Sequence, residues 1–447
     1  YDTWLSHVFP AAGCSHPIRL AGQIATVEAD TGRLLHVAAT ETMPDGVIYK
    51  NCGNRRSAVC PSCAETYRRD AFELIRTGLV GGKTVPTTIA THPAVFVTLT
   101  APGFGPVHTH RTSRTGRTLP CRPRRQPQPC RHGVDLRCNR RHTEDEHTLG
   151  SPLCPDCYDH RAQVVWNNQA GELWRRTRIN LDRTLTRQAR RLGVDPKTIR
   201  LRYAKVAEMQ RRGVIHFHAI LRLDGAHPDL PGLILPPPDQ LDVADLHQAV
   251  TTAVTATAFT TDPHPDQPAG WTITWGQQID IRPIRLTGTG DLTDAAAAGY
   301  LAKYATKSTE ATGHTSRRLD PDTIHVYADP AGTHPQRLVA ACWTLGRHRN
   351  WATLRRWAHM LGYGGHFLTK ARHYSLTFTQ LRAIRITWRR AQQQQAEHDQ
   401  QTTLVIGWLT YIGAGWRTNG DALLANTAAA KARERRQAAR DELATAN

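Results

Sequence analysis

Long apolar runs are absent from this 447-residue chain, so no segment reads as a helix that crosses a bilayer. No secretory signal pattern occurs, which makes disulfides a poor use for the ten cysteines and leaves metal ligation as the better one. No G-x-x-x-x-G-K-[ST] loop occurs either, which argues against a built-in helicase motor. Acidic residues are too few to balance the basic ones, 38 against 57, and the net charge is +19. Lysine itself is scarce: it supplies eight of the 57, so 49 are arginines. A surplus of this size favours a polyanionic partner, nucleic acid or an acidic membrane surface. Arginine suits phosphate because its planar fork binds two oxygens at once, although a GC-rich genome would also enrich it. These absences together predict a cytoplasmic protein with no membrane partner.

The length predicts two or three domains. Residues 1–90 hold a short apolar start, a cysteine cluster and the helix-like stretch AETYRRDAFELIRTGL. AVFVTLTAP (94–102) reads as a buried strand ended by Pro102 and Gly103. Residues 103–160 are rich in Arg, Pro, His and Cys and poor in apolar residues, so they need a staple other than a greasy core. Helical spacing follows over 160–192, then two strands over 200–225 with a turn near Arg211–Gly213. A Pro-rich linker (227–238), a helix near 239–258 and β-character over 271–284 come next. TDAAAAGYLAKYATKS (293–308) is a capped, alanine-rich helix. Residues 338–390 carry more helical pattern, and the Ala/Arg/Glu-rich tail from about 426 reads as a solvated helix.

GVIHFHAILRL (213–223) raises the chemical question. Strand alternation puts Ile215, Phe217, Ala219, Leu221 and Leu223 on one apolar face. His216 and His218 then project together from the other, placed to grip one ion. Glu208 lies across the turn and can supply a third ligand, with Gln210 its rival. Two imidazoles and one carboxylate leave coordination positions open for a substrate oxygen. The alternative is a pair of satisfied histidines on a half-buried strand. A second pair, His108 and His110, lies in a polar stretch and carries no such pattern.

Eighty residues on, Tyr300 and Tyr304 fall on one helical face, each followed at three residues by a lysine, Lys303 and Lys307. A phenol can attack phosphorus to form a phosphotyrosine, and a lysine can help neutralise the phosphate. The alternative is an amphipathic helix with core aromatics. The cysteines add two candidate zinc sites. Cys14, Cys52, Cys60 and Cys63 make one; Cys130, Cys138, Cys154 and Cys157 make the other. His132 or His142 could replace a cysteine, Cys121 is a spare, and Cys342 reads as a core residue. Four protein ligands close a zinc ion's coordination, so both ions are expected to be structural. RRWAHMLGYGGHF (355–367) and TWRRAQQ (387–393) interleave aromatics with arginine, a pattern that suits stacking on unpaired bases or a packed core.

FVTLT (96–100), IHFHAIL (215–221) and YLAKYATK (300–307), in that order, resemble the three motifs of HUH endonucleases. The cysteine clusters and HMLGYGGHFLTKARHYS (359–375) resemble those of rolling-circle replication initiators of actinomycete plasmids and integrative conjugative elements, a resemblance that covers about residues 10–420 in outline. The resemblance implies an α+β fold. An HUH endonuclease domain would span 91–310, with a central antiparallel sheet flanked by helices and a zinc-binding insertion at about 105–160. A zinc-binding module over 1–90 and a helical DNA-binding or accessory region over 311–447 would flank it. It further implies Mg²⁺ or Mn²⁺ on His216, His218 and Glu208, with Zn²⁺ in the cysteine sites. Tyr304 would be the nicking nucleophile. Tyr300 stands where some relatives carry a glutamate, which suggests a second nucleophile. The implied partners are single-stranded and hairpin origin DNA, duplex origin DNA, and a host helicase and DNA polymerase. A rolling-circle transposase is the nearest alternative, and a non-enzymatic zinc-dependent DNA-binding regulator the more distant one.

Overall fold

The structure is a computed structural model that describes every residue except 1, 29–30, 231, 285–292, 305–317, 397–402 and 446–447. The main strands in chain order are β1 (Ile18–Glu28), β2 (Leu34–Ala39), β3 (Ile48–Lys50), β4 (Ala94–Leu99), β5 (Ile199–Met209), β6 (Ile215–Gly225), β7 (Ile279–Pro283), β8 (Leu368–Lys370) and β9 (Thr403–Ala414). The main helices are α1 (Pro61–Val80), α2 (His160–Arg191), α3 (Val243–Thr255), α4 (Asp294–Tyr304), α5 (His334–Leu345), α6 (Phe378–Ala396) and α7 (Asn419–Thr445). This is a mixed fold of antiparallel sheets and helices. Among the described residues no helix is long and apolar enough to cross a membrane.

The chain divides into two compact units, residues 1–71 with 377–447, and residues 72–376. The expected boundaries at 90 and 310 are therefore not where the structure divides. In the first unit β1 pairs antiparallel with β9 from Ile18↔Ala414 to Glu28↔Thr403, so the two ends of the chain share one sheet. The C-terminal region is accordingly not all helical. β2 and β3 complete that sheet along β1.

The second unit is built on a five-stranded antiparallel sheet in the order β7-β4-β6-β5-β8. β6 is central. Ile215, Phe217, Ala219, Leu221 and Leu223 all lie in one core with Trp166, Leu173 and Trp174 of α2 and Leu246 and Val250 of α3. Alternation along the strand therefore sends His216 and His218 to the opposite face. β5 and β6 meet at a tight turn, with Gly213 N–H donating to the Gln210 carbonyl at 2.8 Å and Gln210 N–H to the Val214 carbonyl at 2.9 Å. Gly213 adopts φ +73°, a conformation that glycine reaches without a Cβ penalty. Buried Asn167 of α2 fixes this corner: its amide donates to the Gly213 carbonyl at 2.8 Å and its oxygen accepts from Ile215 N–H at 3.0 Å.

Candidate active site and metal centres

The β5–β6 register sets Glu208 opposite His216 and Val206 opposite His218. Glu208 Oε2 lies 3.1 Å from His218 Nε2. Thr98 Oγ1 on β4 lies 3.3 Å from Nδ1 of the same ring. The two imidazoles stack, with centroids 4.6 Å apart and planes 17° from parallel. Gln210, the rival ligand, takes a supporting place: its Nε2 donates to His216 Nδ1 at 2.7 Å. That donation leaves the proton of neutral His216 on Nε2, so Nε2 ligates a cation only once the Gln210 amide turns its oxygen to Nδ1 and the proton moves there. His216 Nε2 is buried and has no hydrogen-bond partner among the described residues. Burial, then the neighbouring His218 and Arg212, hold its pKa down at about 3. It is thus neutral near pH 7, the form that binds metal.

Two imidazoles, a carboxylate and an orphaned ring nitrogen on one face fit a divalent cation in their chemistry. Three protein ligands would leave coordination positions open for a substrate oxygen. Helix α4 closes over this face. The Tyr300 ring meets His218 edge-on, centroids 5.0 Å apart at 85°, and meets Phe96 of β4 at 5.6 Å. Tyr300 remains 40% exposed, so its phenol is reachable from solvent. Tyr304 ends the same helix one turn further on, a rise of about 6 Å. Lys303 is exposed on that last turn. Lys307 lies outside the described residues. The helix begins where expected: Thr293 Oγ1 accepts from Ala296 N–H at 3.2 Å.

The cysteines form compact sets. Cys14, Cys52, Cys60 and Cys63 converge as expected, with sulfur separations of 3.6, 3.8 and 3.9 Å. Backbone N–H groups of Ser15, Cys52 and Asn54 each point at a sulfur of this set at 3.4 Å. The second set differs from expectation by one residue. Cys130, Cys154 and Cys157 are joined by His132, whose Nδ1 lies 3.2 Å from Cys157 Sγ and 3.6 Å from Cys154 Sγ. Cys138 is drawn away because its backbone pairs with Arg122, which seats it beside Cys121 and 3.4 Å from His142 Nε2. Each of these groups could hold a metal ion.

Residues 1–430 match the family described as Replication initiator protein, pSAM2. This chain belongs to that family. A Replication initiator protein of Streptomyces ambofaciens is 39% identical over 459 residues, covering 99% of this chain and 92% of the relative. No solved structure matches.

Sequence reasoning on this initiator missed the groups that hold the histidine strand rather than those it presents. Asn167 was hidden in a helical pattern, Thr98 in a strand that reads as apolar, and Gln163 donates to the Arg212 carbonyl at 2.9 Å from the first turns of α2. A polar residue on the buried stripe of an amphipathic helix was the one signal available, and Asn167 carries it.

Proposed function

We propose that this initiator nicks single-stranded origin DNA by tyrosine attack and starts rolling-circle replication on the 3′-OH so produced. The observation that supports this most is the meeting of the phenol helix with the histidine pair, Tyr300 against His218. His216, His218 and Glu208 would hold Mg²⁺ or Mn²⁺, which when bound polarises a phosphate oxygen. The chain's own residues do the rest. The Tyr304 phenol loses its proton, and its oxygen forms the bond to phosphorus while the bond to the 3′-oxygen breaks. That oxygen takes up a proton and becomes the primer end, and the 5′-phosphate stays on the enzyme. Exposed Lys303, beside Tyr304, offsets charge at the phosphate. Tyr300 serves as the second phenol, for rejoining the displaced strand. The broken bond's energy is kept in the phosphotyrosine, so no nucleotide triphosphate is consumed. The surplus of positive charge supports strand binding that weakens steeply with salt. The Cys14 and Cys130 sets are read as structural Zn²⁺ sites.

The test incubates the full chain with single-stranded origin oligonucleotides and Mn²⁺. The expected result is an SDS-resistant adduct, lost in Tyr304→Phe and His218→Ala and retained in Tyr300→Phe for a single cut. No adduct with any origin fragment would leave a DNA-binding regulator as the better reading. Cutting confined to element termini would favour a transposase.

A further inference from the structure

We propose that His108, Cys121, Cys138 and His142 form a third zinc site, independent of the nicking reading. Their ligand atoms all lie within 4.8 Å of one another, and three of the four residues are buried. A tetrahedral zinc ion with ordinary bond lengths sets its ligands about 3.3 Å apart for two nitrogens, about 3.6 Å for nitrogen and sulfur, and about 3.8 Å for two sulfurs. Here His108 Nδ1 lies 3.1 Å from His142 Nε2, and Cys138 Sγ lies 3.4 Å from the same nitrogen. Both separations fall close to tetrahedral edges. The same test is met by the Cys14 set, at 3.6 to 3.9 Å, and by the Cys130 set, at 3.2 and 3.6 Å.

The surroundings are those of a ligated site. Glu146 Oε2 lies 2.8 Å from His142 Nδ1. A carboxylate so placed favours the proton on Nδ1 and leaves Nε2 to face the cluster, but the two atoms are not aligned as a hydrogen bond. Thr109 N–H donates to Cys121 Sγ at 3.2 Å, as backbone N–H groups do to the sulfurs of the Cys14 set. The backbone delivers the two sulfurs side by side: Arg122 and Cys138 exchange hydrogen bonds at 2.7 and 3.0 Å, and Cys121 N–H donates to the Arg140 carbonyl at 2.9 Å. Four protein ligands close the ion's coordination, so the centre is structural. It also answers a need of the segment. Few residues between 104 and 159 reach the main core, Phe104, Val107 and Tyr158 among them, so two metal ions do the work of a missing apolar interior.

The site braces the histidine hairpin. Arg211 Nη1 donates to the Glu146 carbonyl at 3.4 Å. Gly150, at φ +86°, packs so closely on the turn that a Cβ there would sit 2.6 Å from Arg212 N.

The test is metal stoichiometry by inductively coupled plasma mass spectrometry on the full chain, purified under reducing conditions. The expected count is three zinc ions per chain, falling to two in His108→Ala and in Cys121→Ser with the other two sites retained. A wild-type count of two, unchanged in both variants, overturns the proposal. The wild-type count stands even if a variant fails to fold. As a second arm, a Cys130→Ser chain is expected to keep two zinc ions. Retention of one alone would mean that the third set binds none.

Discussion

Arg222 and Asp224 are fully buried on β6, on the same face as the histidines and only two and three alternations from His218. Arg222 grips Asp224 with Nε at 2.6 Å and Nη2 at 2.7 Å, donates through Nη1 to the carbonyls of Gly78 and Tyr374, and lies over the Tyr374 ring. His92 Nδ1 meets the same carboxylate at 2.8 Å. Arg222→Met would keep much of the volume and strand Asp224 with His92 and a distant Arg202 Nε at 3.8 Å. Breaking a buried pair by removing one partner costs about 3–5 kcal/mol, because a charge is left uncompensated. With a urea slope of about 3 kcal/mol/M, the unfolding midpoint should fall by about 1–1.7 M. Tryptophan fluorescence reads it, since Trp166 and Trp174 lie in the core of this unit. Arg222→Met with Asp224→Leu should recover most of the loss, as replacing a whole buried pair by apolar groups is often near neutral. Burial alone would raise the Asp224 pKa, but the His92 contact and Arg222 outweigh it and the net shift is downward. The stabilisation is therefore present above the ordinary carboxylate range of about 4 and is lost as pH falls through the lower folded-state value. A single variant within about 0.3 M of wild type, or a double variant no better than the single, would refute the reasoning.

Three further outcomes are expected. Gly150→Ala should destabilise the chain by about 1–3 kcal/mol and speed hydrogen exchange at the Gly213 amide, because the new methyl meets backbone rather than a yielding side chain; unchanged exchange would show that the insertion does not brace the turn. Burial first, then nearby positive groups, hold His160 and His334 at about 4, and their rings share a hydrogen bond at 3.1 Å in which His334 Nδ1, as the acceptor, must be unprotonated. Below about 6.5 the unfolded chain takes protons that these two refuse, so stability should fall from pH 6.5 toward 4, and a His334→Gln chain should show a shallower fall in urea unfolding. Lys205 is buried, held at about 7 by that burial, with Nζ 4.0 Å from the Phe217 ring centroid. Lys205→Met should stabilise by about 1–3 kcal/mol at pH 7, with the gain shrinking toward pH 10 as the unfolded lysine also loses its proton; equal stability at pH 7 would mean that the ring contact offsets the burial.

The local parts of this protein were legible because they rest on local physics. Strict alternation over 215–223 fixed which face the histidines share, and the turn at Gly213 put Glu208 beside them. The 3.6-residue period placed the helix that carries Tyr300 and ends at Tyr304. What sequence could not reveal were pairings across long separations. Nothing in residues 18–28 points to residues 403–414, yet β1 and β9 are one ladder. The second cysteine set shows the same limit: spacing gave Cys130, Cys138, Cys154 and Cys157 equal standing. The exchange of Cys138 for His132 depends on a backbone bridge between Arg122 and Cys138 that leaves no mark in spacing.

The loop after His142 leans on the corner from which the histidine strand departs. Alignment of the two imidazoles is thereby tied to the upkeep of a module that shares none of their chemistry. An oxidant or chelator acting on Cys121 or Cys138 would reach the histidine pair as a misaligned strand, with both imidazoles and Glu208 still present.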